Sequence, residues 1–156
     1  MSGSSGLKDR SRLDGCELSI FKLVREHATS EQWREWLRAP LEHAAADGNM
    51  DLFTRLMDAG ANGSAGWRGC RGRTLLGAAA HGKSEGIVKA LIKAGAKDDM
   101  NVQFGTEMES ALHVAAVQDG ADNAFKALLL AGADPNMLNR LHKSPLHMAA
   151  EAGHHV

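Results

Sequence analysis

Tyrosine is absent, and aromatic residues make up 4% of the sequence. A core must therefore be assembled from Leu, Ile, Met and Ala, side chains that suit closely packed helices. Cysteine is nearly absent as well. Cys16 and Cys70 stand far apart and in no metal-ligand spacing, which argues against a disulfide framework and fits a reducing compartment. No apolar run is long enough to span a bilayer, and Met1–Gly6 is a Ser/Gly linker without the apolar centre of a signal peptide. The expected location is cytoplasmic or nuclear, with no membrane partner. Neither sign of charge dominates: 18 Lys and Arg face 19 Asp and Glu. A general nucleic-acid binder would need a clear basic excess, so that class is set aside. The length fits one compact domain or one short run of repeats.

What is present is self-similarity, which outranks any single motif. Pro40-Leu41-Glu42-His43-Ala44-Ala45 is followed by Thr74-Leu75-Leu76-Gly77-Ala78-Ala79-Ala80, then Ser110-Ala111-Leu112-His113-Val114-Ala115-Ala116, then Ser144-Pro145-Leu146-His147-Met148-Ala149-Ala150. The leading leucines, Leu41, Leu76, Leu112 and Leu146, recur at steps of 35, 36 and 34 residues. A second landmark keeps pace: Ala59-Gly60-Ala61, Ala94-Gly95-Ala96 and Ala131-Gly132-Ala133. Between the landmarks lie apolar residues at i, i+1, i+4 and i+5: Leu52, Phe53, Leu56, Met57; Ile87, Val88, Leu91, Ile92; Ala124, Phe125, Leu128, Leu129. That spacing paints one stripe on a helix.

The punctuation predicts two helices per unit. Thr74, Ser110 and Ser144 stand where an N-cap hydroxyl accepts the first free backbone N–H groups. Pro40 and Pro145 occupy the first helical position. Gly48, Gly82, Gly120 and Gly153 break the first helix, Asn49 and Ser84 cap the second, and Gly60, Gly95 and Gly132 end it. The Ala pairs (44–45, 79–80, 115–116, 149–150) let neighbouring first helices approach closely.

These residues resemble the ankyrin repeat. Residues 144–154 follow that family's T-P-L-H-x-A-A half, and Ala131-Gly132-Ala133-Asp134-Pro135-Asn136 follows its G-A-D-x-N half. The resemblance covers residues 39 to 156 and implies an all-α solenoid of stacked helix-turn-helix units with projecting loops, or fingers. There are departures. Ala39 stands for the capping Thr, Glu42 and Gly77 stand for the motif His, His43 sits one place late, and Asp119 reads as an insertion. The expected division is a flexible segment at 1–15, a helical cap or degenerate repeat at 16–38, repeats at 39–73, 74–109 and 110–142, and a partial repeat at 143–156. Within the cap, residues 16–28 read as an amphipathic helix carrying Ile20, Phe21 and Val24. Thr29 and Gln32 form a capping box. A short helix from Glu31 to Arg38 then ends at Pro40, with Trp33, Trp36 and Leu37 inward. A solenoid needs such an end cover. At the other end Leu146 and Met148 lack a covering second helix, so the chain is expected to be a segment of a longer array.

Chemistry was sought and set aside. The resemblance gives His113 and His147 structural hydrogen bonds to backbone. His147, His154 and His155 share a helix face, but a terminal site lacks a rigid second shell for a metal. The Gly- and Arg-rich stretch 66–73 lacks the Lys-Ser/Thr ending of a phosphate loop and follows no predicted strand. Cys70, between Arg68 and Arg71, is a low-ranking oxidation-sensitive thiol. No constellation of catalytic side chains emerges, so neither an enzyme activity, a cofactor nor a small-molecule substrate is expected. The expected function is protein–protein interaction, as a scaffold, through the concave face and the fingers. The first finger offers Trp67, Arg68, Arg71 and Arg73, residue types enriched in binding hot spots, whose charge favours an acidic partner. For Trp67, tucking against the preceding helix is an equal alternative to exposure. The second finger offers Asn101, Gln103, Phe104 and Glu107; the third offers Asn139, Arg140 and His142. Asp47, His81, Gln118 and Glu151 line the groove. The competing readings are a structural spacer and the accessory or regulatory segment of a larger protein, such as a signalling enzyme.

Overall fold

In the computed structural model, the described residues are 26, 29–61, 63, 66, 68, 69 and 72–154. They divide into two units, 1–36 and 37–156. The helix expected at 16–28 lies outside the described residues, Glu26 apart.

In the first unit the capping box at Thr29 is present. The Gln32 backbone N–H donates to Thr29 Oγ1 at 3.3 Å, and the Thr29 N–H donates to Gln32 Oε1 at 3.2 Å. Trp36 is 58% exposed, against the inward position expected for it. The side chain of Trp33 lies outside the described residues.

Helix α1, Ser30–Ala46, runs through Pro40 rather than stopping there. The sequence placed a break at this point because proline deletes one intrahelical hydrogen bond. The break fails for a local reason: Ala39 has no side-chain oxygen to cap a new helix, while the fixed φ of proline is itself helical. The stripe Leu37, Leu41, Ala44 and Ala45, none more than 1% exposed, gains from the uninterrupted helix. Burial of each leucine contributes about 1.5–3 kcal/mol, comparable to the interior-proline cost of about 3 kcal/mol.

The remaining helices are α2 (Met50–Asp58), α3 (Leu75–His81), α4 (Glu85–Lys93), α5 (Ala111–Val117), α6 (Asp122–Ala131) and α7 (Pro145–Ala152), with α3/α4 and α5/α6 as hairpins and α7 alone at the end. A short 3-10 turn, Ala96–Asp99, follows α4. Caps set the boundaries. Asn49 accepts from Leu52 N at 3.1 Å, Thr74 from Gly77 N at 3.0 Å, Ser84 from Ile87 N at 3.4 Å and Ser144 from His147 N at 3.4 Å. Gly60, Gly95 and Gly132 adopt φ of 99°, 98° and 103°, the left-handed ends their sequence position required. One breaker is displaced. The left-handed residue after α3 is Lys83, φ 58°, and not Gly82. Gly82 is needed for another reason: a Cβ there would strike the Ala45 carbonyl of the preceding repeat.

Within the second unit α3, α5 and α7 pack side by side as one layer, and α2, α4 and α6 form the other. The interior is the one the repeat implied: Leu41, Leu76 and Leu112, and the Ala pairs at 44–45, 79–80 and 115–116, are all 3% exposed or less. Phe53, Ile87, Val88, Leu91, Ala124, Phe125 and Leu128 complete it from the second layer. The outer stripe is narrower than its spacing suggested, since Leu52 and Leu129 are 38% and 37% exposed. Among the described residues β pairing is confined to an isolated bridge, Phe104 with Glu109.

Candidate protein-binding surface

Three tight hairpins project from the helix layers, one per repeat boundary. The closing hydrogen bonds run from Gly69 N to Arg73 O at 2.8 Å, from Phe104 N to Glu109 O at 2.8 Å and from Asn139 N to Lys143 O at 3.0 Å. Each hairpin begins 35 residues after the last, at 69, 104 and 139.

The fingers are tied together by polar side chains. Asn101 Oδ1 accepts from Asp134 N at 2.9 Å. The Gln103 amide donates to both the Met108 carbonyl, 2.8 Å, and the Leu138 carbonyl, 2.7 Å. Arg140 N donates to the Glu107 carbonyl at 2.8 Å. Asn139 Oδ1 closes its own loop by accepting from Leu141 N at 2.9 Å and Lys143 N at 3.0 Å. Asn139 is 5% exposed, so it holds the third finger from inside and is not the contact residue its loop position suggested.

His113 is fully buried and acts as a strut. Its Nδ1 accepts from Ser110 N at 3.2 Å and lies 2.8 Å from Ser110 Oγ. Its Nε2 lies 3.1 Å from the Lys143 carbonyl in the next finger. Accepting from the Ser110 N–H leaves Nδ1 without a proton, so Nε2 carries it and donates to the Lys143 carbonyl. His147 repeats the first half of this arrangement, with Ser144 N at 3.2 Å and Ser144 Oγ at 2.8 Å from its Nδ1.

The predicted site residues separate into three groups. Trp67 and Arg71 lie outside the described residues. Phe104 is committed to the fold, and Arg68, its side chain still 42% exposed, is paired within the chain. Arg68 Nη1 meets Asp99 Oδ1 at 2.9 Å, and Asp99 Oδ2 also accepts from Gly66 N at 2.9 Å. Asp99 is 4% exposed, so the first finger is pinned to the second repeat and the charge of Arg68 is answered within the chain. Phe104, expected to be a contact residue, is 8% exposed. A Cβ on Gly77 would collide with its ring edge. Gly77 stands where the third and fourth repeats carry the motif histidine, His113 and His147, and Phe104 fills the space that the imidazole would take. The remaining residues stay accessible. Arg140 and His142 are exposed on the third finger and His81 at the end of α3. Gln118, after α5, and Arg73 are half-buried. Asp47 is exposed and pairs with His43 at 3.3 Å. Glu151 is held by Lys143 at 2.7 Å.

A cleft of about 190 Å³ opens between Arg73 of the first finger and Phe104, Glu107 and Glu109 of the second, with Val114 behind. Pockets for small ligands run to about 300–1,000 Å³, so this one has room for a single partner side chain. Among the described residues no group of three His, Cys, Asp or Glu is placed to hold a metal ion, and no helix is long and apolar enough to cross a membrane.

Residues 41–139 match the family model for ankyrin repeats, in three copies. The chain is an ankyrin repeat protein. Its helix pairs, fingers and buried His113 strut are that family's parts. The chain is also similar to a far larger protein, the transient receptor potential channel pyrexia of Drosophila melanogaster. The two are 34% identical over 116 residues, which is 74% of this chain and 12% of the channel.

Sequence reasoning missed Asp99, Met108, Leu138 and Leu141. Asp99 carried a weak signal, an acid one repeat after an Arg-rich finger. Met108 carried a clearer one: it precedes Glu109 as Gly72 precedes Arg73 and His142 precedes Lys143.

Proposed function

We propose that this chain is a non-catalytic interaction module that binds a partner protein through its concave face and fingers. Ankyrin repeats are in general protein-interaction modules. The observation that carries the reading is a division of labour. Buried or laced side chains (Asp99, Gln103, Asn139, His113) hold the loops, while Arg140, His142 and His81 stand exposed beside them. Loops fixed in advance lose little entropy on binding. An acidic partner remains the fitting one, with Arg73 and Arg140 in place of Arg68 as the charges it meets. The cytoplasm or nucleus is the proposed location. The test is affinity capture from the source cell with the whole chain as bait. One protein recovered in roughly equimolar amount, and lost with Arg140→Ala combined with His81→Ala, supports the reading; recovery unchanged by that pair removes this face.

A second reading is favoured by a different observation. Leu146 is 53% exposed where Leu112 is 1%, and the stretch matched in the similar channel is 12% of that protein's length. On this reading the repeats are a structural or regulatory segment whose α7 face is covered by more of the same protein.

A further inference from the structure

In each finger the residue before the closing pair is left-handed: Gly72 at φ 71°, Met108 at φ 55° and His142 at φ 54°. Glycine takes this conformation freely, whereas a side chain there costs stability. The first finger has the cheap residue; the second and third have a large apolar one and an aromatic base, both exposed. Backbone strain of this kind clusters at ligand clamps and other binding positions.

Apolar neighbours strengthen the case. Met108, Leu138 and Leu141 are 46%, 50% and 59% exposed. The Gln103 amide bridges the Met108 and Leu138 carbonyls, so the two backbones lie side by side. Arg68 and Gln103 occupy the places in the first two repeats that Leu138 has in the third. Arg140 is the cation beside this patch, with Glu107 adjoining Met108 in the chain. Arg140 Nη1 has a long bond, 3.4 Å, to the Thr106 carbonyl, and among the described residues no ion pair holds it. Lys143 is already neutralised by Glu151, and Glu107 borders the cleft shared with Arg73.

We propose that the tips of the second and third fingers dock a protein segment carrying large apolar residues next to a carboxylate, the apolar residues meeting Met108, Leu138 and Leu141 and the carboxylate meeting Arg140. This rests on the reading that the chain binds protein, and it assigns the partner's chemistry. Guanidinium and carboxylate form the stronger class of hydrogen bond, and a water-excluding apolar surround raises the worth of the pair.

The test pans the full chain against a phage-displayed library of random peptides. The expected consensus combines large apolar residues with Asp or Glu. Binding of the enriched peptides falls at least about tenfold in the Met108→Gly, His142→Gly double variant, whose thermal midpoint stays within about 4 °C of the parent. Panning the Arg140→Glu variant shifts the consensus from acidic to basic. Peptides that lack an acid, or that bind the double variant undiminished, overturn the proposal. If those same peptides are weakened by His81→Ala with Gln118→Ala, protein binding at the concave face stands without it. A library that enriches nothing on the parent chain removes both.

Discussion

The third and fourth first-helices, α5 and α7, begin with the same letters and end in different surroundings. Both carry Ser-x-Leu-His, and in both the histidine Nδ1 is held by the capping serine. In α5 the adjoining Leu112 is 1% exposed and His113 reaches the Lys143 carbonyl of the next finger. In α7 Leu146 is 53% exposed, and no partner is placed on His147 Nε2 among the described residues. The half of the motif that closes within four residues forms in both places. The half that needs a neighbour some thirty residues on forms only where the neighbour stands. A repeat letter thus encodes a local bond outright and an inter-repeat bond conditionally.

Substitutions at matched positions sharpen this contrast. The largest effect is expected for Leu112→Ala, a loss of about 2–5 kcal/mol in chemical denaturation because a packed site is emptied. Leu146→Ala, already half in water, is expected to cost less than about 1 kcal/mol. Equal losses at the two sites would show that α7 is covered in solution.

Next comes Gly77→His, which restores the family's letter in the second repeat and yet is expected to destabilise by about 1–3 kcal/mol, because Phe104 already fills the imidazole's place. A double-mutant cycle with Phe104→Ala should show coupling, the histidine costing less once the ring is gone. Additive effects would sink the exchange of imidazole for phenyl.

The smallest difference is expected between His113→Ala and His147→Ala. The first strands the buried Ser110 N–H and removes a donor from Lys143 O, about 1–3 kcal/mol; the second leaves Ser144 N–H near water and costs about 1 kcal/mol or less. Hydrogen exchange at residues 139–143 should rise in the first variant and not in the second.

Much of this molecule was readable before its coordinates. Caps at Asn49, Thr74, Ser84 and Ser144, the leucine period and the Ala pairs are short-range or periodic signals, and the helices and core follow them. The sequence was less legible where a distant partner intervened or a local one was missing. Phe104 reads as an exposed loop aromatic until Gly77 is set beside it. Arg68 keeps its exposure, and the fold adds the partner Asp99 that its sequence neighbours do not announce. Pro40 reads as a helix stop, yet with no cap at Ala39 the helix runs on.

From sequence alone came the unit itself: two capped helices, their apolar stripes, a turn and a period. These depend on bonds spanning three or four residues and on side chains repeating at helical spacing, so one chain position carries the information. Tertiary structure decided which loop residues remain for a partner. Asp99 with Arg68, Gln103 with Leu138 and Phe104 with Gly77 are pairs 27 to 35 residues apart, brought together by stacking. Exposure belongs to such pairs, because a side chain is covered by whatever packs against it and not by its own neighbours in the chain.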